Sequence, residues 1–396
     1  MTRRIFCGGC GDKGLQPFLD LGDSPLADRF PATANEPEDR YPLRVAVCPR
    51  CWLVQLLDVV PDGMLYGADY AFFTGSSPSA VAYFADYADW LDQWLGLDGK
   101  LVYEVASNDG TLLRELARRG GRVIGIEPAG GPADAARASG LRVHSLLFGR
   151  QAAEVMRSEY APADVIVANN VAAHVADLDD FFGGLGHLLA VDGTAVIEVQ
   201  YVGDLLAGNQ FDHVYHEHRY YFGIESLGRV LSRHGLWIRH VERTPAQGGS
   251  IRIAATRGKP PHPMYDSVSL LQPSIYLAFQ QRADQIRERL LGLIGEQIAA
   301  GHKIAGYAAS AKSATLLNYC GLGPDRIDHI VDLTPHKIGR YTPGTRIPIV
   351  APGERAEPDV MMLLAWNYLS GVLRRERGFL DRGGRFLVPI PYPVLL

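Results

Sequence analysis

The stretch Phe211-Asp212-His213-Val214-Tyr215-His216-Glu217-His218 concentrates imidazole, phenol and carboxyl groups within eight residues. Neutral imidazole, with an ordinary pKa of about 6.5, can remove a proton near neutrality, a step worth ~10² to 10⁴ in rate. A phenol or an imidazole N–H can then hold the oxyanion that results. As metal ligands these residues lack a clear partner set, whereas cysteines elsewhere supply one. Cys7-Gly8-Gly9-Cys10 and Cys48-Pro49-Arg50-Cys51 are two knuckles able to close a tetrahedral Cys₄ site with Zn–S distances of about 2.3 Å. Four protein ligands leave no open position for water or substrate, so a structural zinc is expected at Cys7, Cys10, Cys48 and Cys51. Cys320, alone in a helical context, reads as core. His144 and His234 read as surface or satisfied core residues, as do His213 and His216. Tyr220, Tyr221 and Phe222 read as packing.

A second constellation is Glu104-Val105-Ala106-Ser107-Asn108-Asp109-Gly110, a carboxylate followed by small residues in a tight turn. Small side chains let a ligand approach the backbone, and Gly110 permits a positive φ. Glu127 closes the next strand, where a carboxylate can accept both hydroxyl hydrogens of a ribose. A unit binding NAD is the rival reading, but the phosphate-binding GxGxxG is missing, and a ligand without pyrophosphate does not need it.

These groups need a frame. With 396 residues the chain exceeds the roughly 250 to 300 at which single cores stop growing, so two or three domains are expected. The first, 1–66, holds the cysteines and short β-like runs such as 43–47. Residues 67–97 form a loop and then a connecting helix, rich in aromatic residues. A βαβ unit follows: strand 100–105, turn 107–110, helix 111–119 and strand 122–127. Strands at 164–168 and 193–199 with a helix at 178–189 extend a doubly wound sheet through domain 98–256. The third domain, 257–396, opens on a helix 274–300, where Phe279, Ala283, Ile286, Leu290 and Leu293 share one face. Strands at 303–307, 328–331, 360–365 and 386–389 then alternate with helices. The fold class is therefore α/β, with a zinc-binding lobe ahead of two Rossmann-like units.

A formal net charge of −5, with 39 basic and 44 acidic residues mixed along the chain, gives no footprint for nucleic acid or an anionic membrane. Met1 to Phe6 lead into cysteines instead of an apolar signal core, and no run of about 18 apolar residues follows. A cytoplasmic protein is expected, as a monomer or small homo-oligomer.

Glu-Val-Ala-Ser-Asn-Asp-Gly, Gly125-Ile126-Glu127-Pro128 and Asn169-Asn170-Val171-Ala172-Ala173-His174 together resemble the sugar C-methyltransferase family of deoxysugar biosynthesis, and the likeness covers nearly the whole chain. It implies an N-terminal zinc-binding domain, a central S-adenosylmethionine domain and a C-terminal Rossmann-like domain that helps hold a sugar nucleotide. Glu104, Ala106, Asn108, Gly110, Glu127 and Asn169 would hold the methyl donor. Ala106 stands where many methyltransferases have glycine. The family's Tyr-His-Glu-His motif implies His218 as the base that removes a proton beside a ketone, with Tyr215 and Glu217 orienting or stabilising the sugar. His174 would assist from the sheet, and Tyr70 would contact the keto sugar.

In the third domain, Gly306-Tyr307-Ala308-Ala309-Ser310-Ala311-Lys312 sets amides and a lysine where an anion could lie. Asp332 follows the next strand, with Lys337 and Arg340 just beyond. Asn170, Ser310, Lys312 and Lys337 are the substrate-binding candidates. The implied reaction is methyl transfer to C-3 or C-5 of a thymidine-linked 4-keto deoxysugar. The alternatives are an O- or N-methyltransferase acting on a sugar or small metabolite, and a non-catalytic zinc-stabilised binding protein.

Overall fold

The computed structural model describes residues 1–65, 73–259 and 268–396. Near the N-terminus, strands Gln16–Ser24, Tyr41–Val47 and Val54–Leu56 form an antiparallel sheet. Leu43, Val45 and Val47 alternate onto its buried face, as period-2 side chains must. A fourth strand, Tyr220–Tyr221, arrives from the middle of the chain, Tyr220 lying opposite Gln55 and Tyr221 opposite Val54. Expected only to pack, these tyrosines are buried, and they also complete the sheet of the cysteine lobe.

Helix Pro78–Leu95 starts where the Ser77 hydroxyl accepts from the Ala80 N–H and proline occupies the first turn, and it stops at Gly96 with φ 65°. Its buried residues Tyr87, Ala88 and Leu91 pack on Val102, Leu112, Val167 and Val196. Below it lies a seven-stranded sheet in the order Leu236–Thr244, Ser250–Arg257, Leu189–Gln200, Ala163–Asn169, Leu101–Val105, Arg122–Ile126, Val143–His144. Ser250–Arg257 runs antiparallel to both of its neighbours. The four strands from Leu189–Gln200 to Arg122–Ile126 are mutually parallel. Leu101–Val105 is buried along its whole length, which is why it reads as an apolar run without alternation. Strand order reverses beside it, and at such a switch point ligands bind outside the carboxyl ends of the strands.

The long helix Pro273–Ala299 buries Tyr276, Phe279, Ala283, Ile286, Leu290, Leu293 and Ile294 along one stripe. Phe18 of the cysteine lobe meets this stripe, its ring centroid 5.3 Å from that of Tyr276 and 6.2 Å from that of Phe279. A second sheet follows in the order Ile349–Val350, Ile330–Val331, Ile304–Tyr307, Val360–Leu363, Arg385–Val388, Val394–Leu395, parallel except for its last strand. This last unit also clasps the first lobe. The Tyr341 N–H donates to the Pro31 carbonyl at 2.9 Å, Arg40 donates to the Gly344 carbonyl at 3.0 Å, and the Gly344 N–H donates to Glu38 at 2.8 Å. Among the described residues no helix is long and apolar enough to cross a membrane.

Candidate active site

The four expected metal ligands converge. The sulfurs of Cys7, Cys10, Cys48 and Cys51 lie within 4.8 Å of one another, with Cys7 to Cys51 and Cys10 to Cys48 each at 3.5 Å. A tetrahedral zinc with bonds of about 2.3 Å places its sulfurs about 3.8 Å apart, so the donor set fits the ion with little movement. The Gly9 N–H at 3.3 Å and the Gln55 amide at 3.2 Å both donate to the Cys7 sulfur, as befits a thiolate. Sulfur contacts with Cys48 and Cys51 hold the Cys7 thiol well below its ordinary value. Gln55 accepts from the Gly8 N–H at 2.9 Å, which ties knuckle to sheet. At Gly8 a side chain is excluded, since a Cβ would lie 2.6 Å from the Tyr220 hydroxyl.

The donor turn leaves strand Leu101–Val105 with positive φ at Ala106 (57°), Asn108 (49°) and Gly110 (76°). At Gly110 a Cβ would lie 2.3 Å from Leu141, so sterics and backbone both demand glycine. Glu127 accepts from the Asn108 N–H and the Ala129 N–H, each at 2.8 Å. Burial, reinforced by the charges of Glu127 and Asp109, pushes the Glu104 carboxyl well above its ordinary range, and its Oε2 has no partner. The Ser107 hydroxyl is likewise buried and unpaired, while the Asn169 amide meets the Tyr87 hydroxyl. Unpaired buried polar atoms around a small-residue turn fit a polar, cationic ligand such as S-adenosylmethionine. Asp109 plays a different part: it accepts from the Gly75 N–H at 2.7 Å, while Asn108 accepts from the Thr74 N–H at 2.9 Å. Both fasten the turn ahead of helix Pro78–Leu95 to the donor loop.

The histidine-rich segment 211–218 meets both this sheet unit and the C-terminal unit. The His218 ring bonds through Nδ1 to the His213 carbonyl at 3.2 Å and through Nε2 to the Tyr215 hydroxyl at 2.6 Å. With Nδ1–H committed to a carbonyl, Nε2 carries the lone pair and accepts from the phenol. His174 stands edge-on to this ring, centroids 4.8 Å apart. Burial, and next the neighbouring His174, hold His218 well below the ordinary imidazole value, and burial lowers His174 to about 4. Glu217 is pushed the other way, to about 8, by burial and next by the charge of Asp28, an exposed carboxylate. The backbone N–H groups of Asp28 and Ala27 face the Glu217 carboxyl.

Asp212 is fully buried, accepts from the Trp366 indole N–H at 2.6 Å, and is raised to about 6 by burial. The Trp366 ring also covers His213, centroids 5.7 Å apart. Thr315, in helix Ala311–Cys320, donates to the Val214 carbonyl at 2.7 Å. Lys312 lies in the first turn of that helix, buried, with Asp212 as the anion acting on it. Ser310 is the helix N-cap, accepting from the Ser313 N–H. Lys337 donates to the Ala309 carbonyl at 2.8 Å and sits 5.0 Å from the centre of the Phe30 ring. Asp332 accepts from the Ala309 N–H at 2.6 Å and the Thr334 N–H at 2.7 Å, the arrangement that Glu127 makes in the donor unit. Asn170, at φ 53°, donates its N–H to the Glu198 carbonyl at 2.8 Å from the exposed end of its strand.

The structure therefore gathers Tyr215, Glu217, His218 and His174; Lys312 is buried near Asp212, Lys337 acts on the Asp28 carboxyl that faces Glu217, and Asn170 stands exposed at the end of its strand. Tyr70 lies outside the described residues. Asp28, Asp212 and Thr315 were not singled out from sequence. Asp212 had a signal, since it stands within the histidine-rich stretch, whereas Asp28 had none.

Three family descriptions match in series: a zinc binding domain over residues 7–66, a methyltransferase domain over 82–241, and a C-methyltransferase C-terminal domain over 245–391. The chain is 33% identical to the C-methyltransferase NovU of Streptomyces niveus over 402 aligned residues, covering 98% of this chain and 96% of that one. The ubiquinone biosynthesis O-methyltransferase of Hahella chejuensis is 32% identical over 91 residues, 22% of this chain and 38% of its own length. Among solved structures, the magnesium protoporphyrin IX methyltransferase of Synechocystis PCC 6803 overlays 45% of this chain and 79% of its own at 15% identity, with a TM-score of 0.34. On its likeness to the Streptomyces enzyme along almost its full length, the chain belongs to the sugar C-methyltransferase family, enzymes that take their methyl group from S-adenosylmethionine and carry an N-terminal zinc-binding domain.

Proposed function

We propose that this enzyme methylates the carbon beside the ketone of a nucleotide-linked 4-keto deoxysugar, at C-3 or C-5, in the cytoplasm, and that thymidine diphosphate is the nucleotide. The observation that carries the reading is the His218 ring: Nδ1 is anchored on a backbone carbonyl and Nε2 meets the Tyr215 hydroxyl, in surroundings that keep the imidazole uncharged.

The C–H bond next to the carbonyl gives its proton to His218 Nε2. Its electron pair becomes the enolate C=C, and the carbonyl π pair moves onto oxygen. Tyr215 turns its O–H from the ring nitrogen to that oxygen, a donor aimed where charge develops. S-adenosylmethionine, which Glu104, Ala106, Asn108, Gly110, Glu127 and Asn169 would hold, would supply an electrophilic methyl group for the enolate carbon. Glu217, protonated below about pH 8, donates its O–H to the sugar. The zinc holds the fold and takes no part in the reaction.

Incubation with methyl-labelled donor and a panel of thymidine-linked 4-keto deoxysugars tests the reading. The expected product carries label on a carbon that also exchanges its hydrogen with deuterated water. His218→Asn is expected to lose roughly 10²-fold or more of both exchange and transfer. Label on oxygen or nitrogen, or a His218→Asn enzyme with near-normal turnover, sinks it.

A further inference from the structure

Lys312 reads in sequence as a group for a ligand anion, and its place in the structure gives it other work. It belongs to the first turn of helix Ala311–Cys320, three residues before Thr315. Residues so spaced share a helix face. Thr315 is fixed to the carbonyl of Val214, between His213 and Tyr215, so the same face turns Lys312 to the segment that carries the base. The lysine is 9% exposed, and Asp212 offsets its charge in a pocket where Trp366 closes one side. The His213 Nε2 is buried there without a partner, and the Asp212 carboxyl faces backbone N–H groups as well as the Trp366 indole. An ammonium this dry is a poor hold for a solvated diphosphate, which a flexible exposed lysine serves as well. It is a strong partner for an anion that forms transiently inside the site, where a cation is worth far more than in water.

We infer that Lys312 is a catalytic residue, its ammonium hydrogen-bonding the carbonyl oxygen of the sugar as that oxygen becomes an enolate. The inference rests on the reading of His218 as base. When His218 takes the proton and the carbonyl π pair moves to oxygen, Lys312 receives the new negative charge without giving up its own proton, and the charge leaves again when carbon attacks the methyl. Asp212 acts on the ammonium through its charge, without a direct bond to it. The titratable groups acting on His218 are then Tyr215 and His213 on its own segment, Tyr221 just beyond it, His174 from the sheet unit and Lys312 from the C-terminal unit.

The test uses the full-length, zinc-loaded enzyme and a thymidine-diphosphate-linked 4-keto-6-deoxy sugar. Exchange of the sugar's α-hydrogen in deuterated water is followed with S-adenosylhomocysteine in place of the donor. Lys312→Met is expected to slow exchange by about 100-fold or more, with sugar-nucleotide affinity changed by no more than about threefold. Lys312→Arg, which keeps the charge, should recover at least a tenth of the rate even if the methionine variant folds poorly. Because the ammonium depresses the imidazole, the acid limb of the exchange profile should move to higher pH in Lys312→Met, a displacement that a packing role does not produce. Normal exchange in Lys312→Met, or an arginine variant as slow as the methionine one, overturns the inference. So does a loss confined to nucleotide affinity. His218→Asn run alongside separates the two readings: if it exchanges normally the base assignment fails, whatever Lys312 does.

Discussion

A general base at neutral pH must be uncharged before it works, and in the role proposed for His218 burial secures this because it disfavours imidazolium. The acid limb of α-hydrogen exchange is therefore expected below the ordinary imidazole value of about 6.5, where an exposed histidine would already be protonated. An acid limb at or above that value in the wild-type profile contradicts a desolvated, uncharged imidazole at this position. The same residues cost stability in acid. The folded-state pKa of His174 is lowered to about 4, so between the ordinary value and 4 the unfolded chain binds a proton that the native chain does not. Stability present above about pH 6.5 is lost as pH falls through this window, and His174→Gln should flatten the decline in a series of thermal melts. At this scale the sequence was most legible where a residue type is itself the signal: paired cysteines, a carboxylate after a strand, histidine beside tyrosine. It was silent on Asp28 and on the bond from Trp366 to Asp212, which spans 154 residues and has no local pattern.

At the scale of elements, helix Pro78–Leu95 is pinned to the sheet by a buried charge pair. Glu198 accepts from Arg252 Nε at 3.0 Å and from the Tyr83 hydroxyl at 2.6 Å, and Arg252 lies 4.0 Å from the centre of the Tyr87 ring and 4.5 Å from that of Trp90. Arg252→Met would strand a carboxylate that is fully buried, at a cost of about 3 to 5 kcal/mol in urea unfolding, and adding Glu198→Met should restore most of it. A double variant no more stable than the single one would place the strength of the joint elsewhere. Long elements were read well from sequence: the helix expected at 274–300 is Pro273–Ala299, and the strand expected at 100–105 is Leu101–Val105. Short ones were not. The strand expected at 328–331 shrinks to Ile330–Val331, and Gln16–Ser24, whose register shifts twice against its partner, went unread because a bulged strand blurs the period of two.

In the whole molecule the histidine-rich segment is held by three units at once. Tyr220–Tyr221 pairs with the cysteine lobe, Thr315 and Trp366 reach in from the C-terminal unit, and the Arg219 N–H donates to the Ala173 carbonyl of the central one at 2.8 Å. Stripping zinc with a chelator should therefore loosen more than the knuckles. Backbone amides of Tyr220 and Tyr221 are expected to lose hydrogen-exchange protection, and enolisation should fall with zinc content; full protection in the stripped protein would show that the lobe stands without its ion. Domain order was legible because each unit has its own motif, whereas the contacts that join the units depend on side chains no short window brings together.

The borrowed strand has a consequence for how the chain comes to be. While the first lobe is being synthesised, the rim of Val54–Leu56 must wait for some 160 further residues before Tyr220 and Tyr221 exist to cover it. An open rim of this kind invites pairing with another nascent copy, and such long-range closure is slow. Early capture of the metal by the cysteines would keep the unfinished lobe compact through that interval, which makes zinc supply during translation a determinant of how much enzyme is recovered without aggregation.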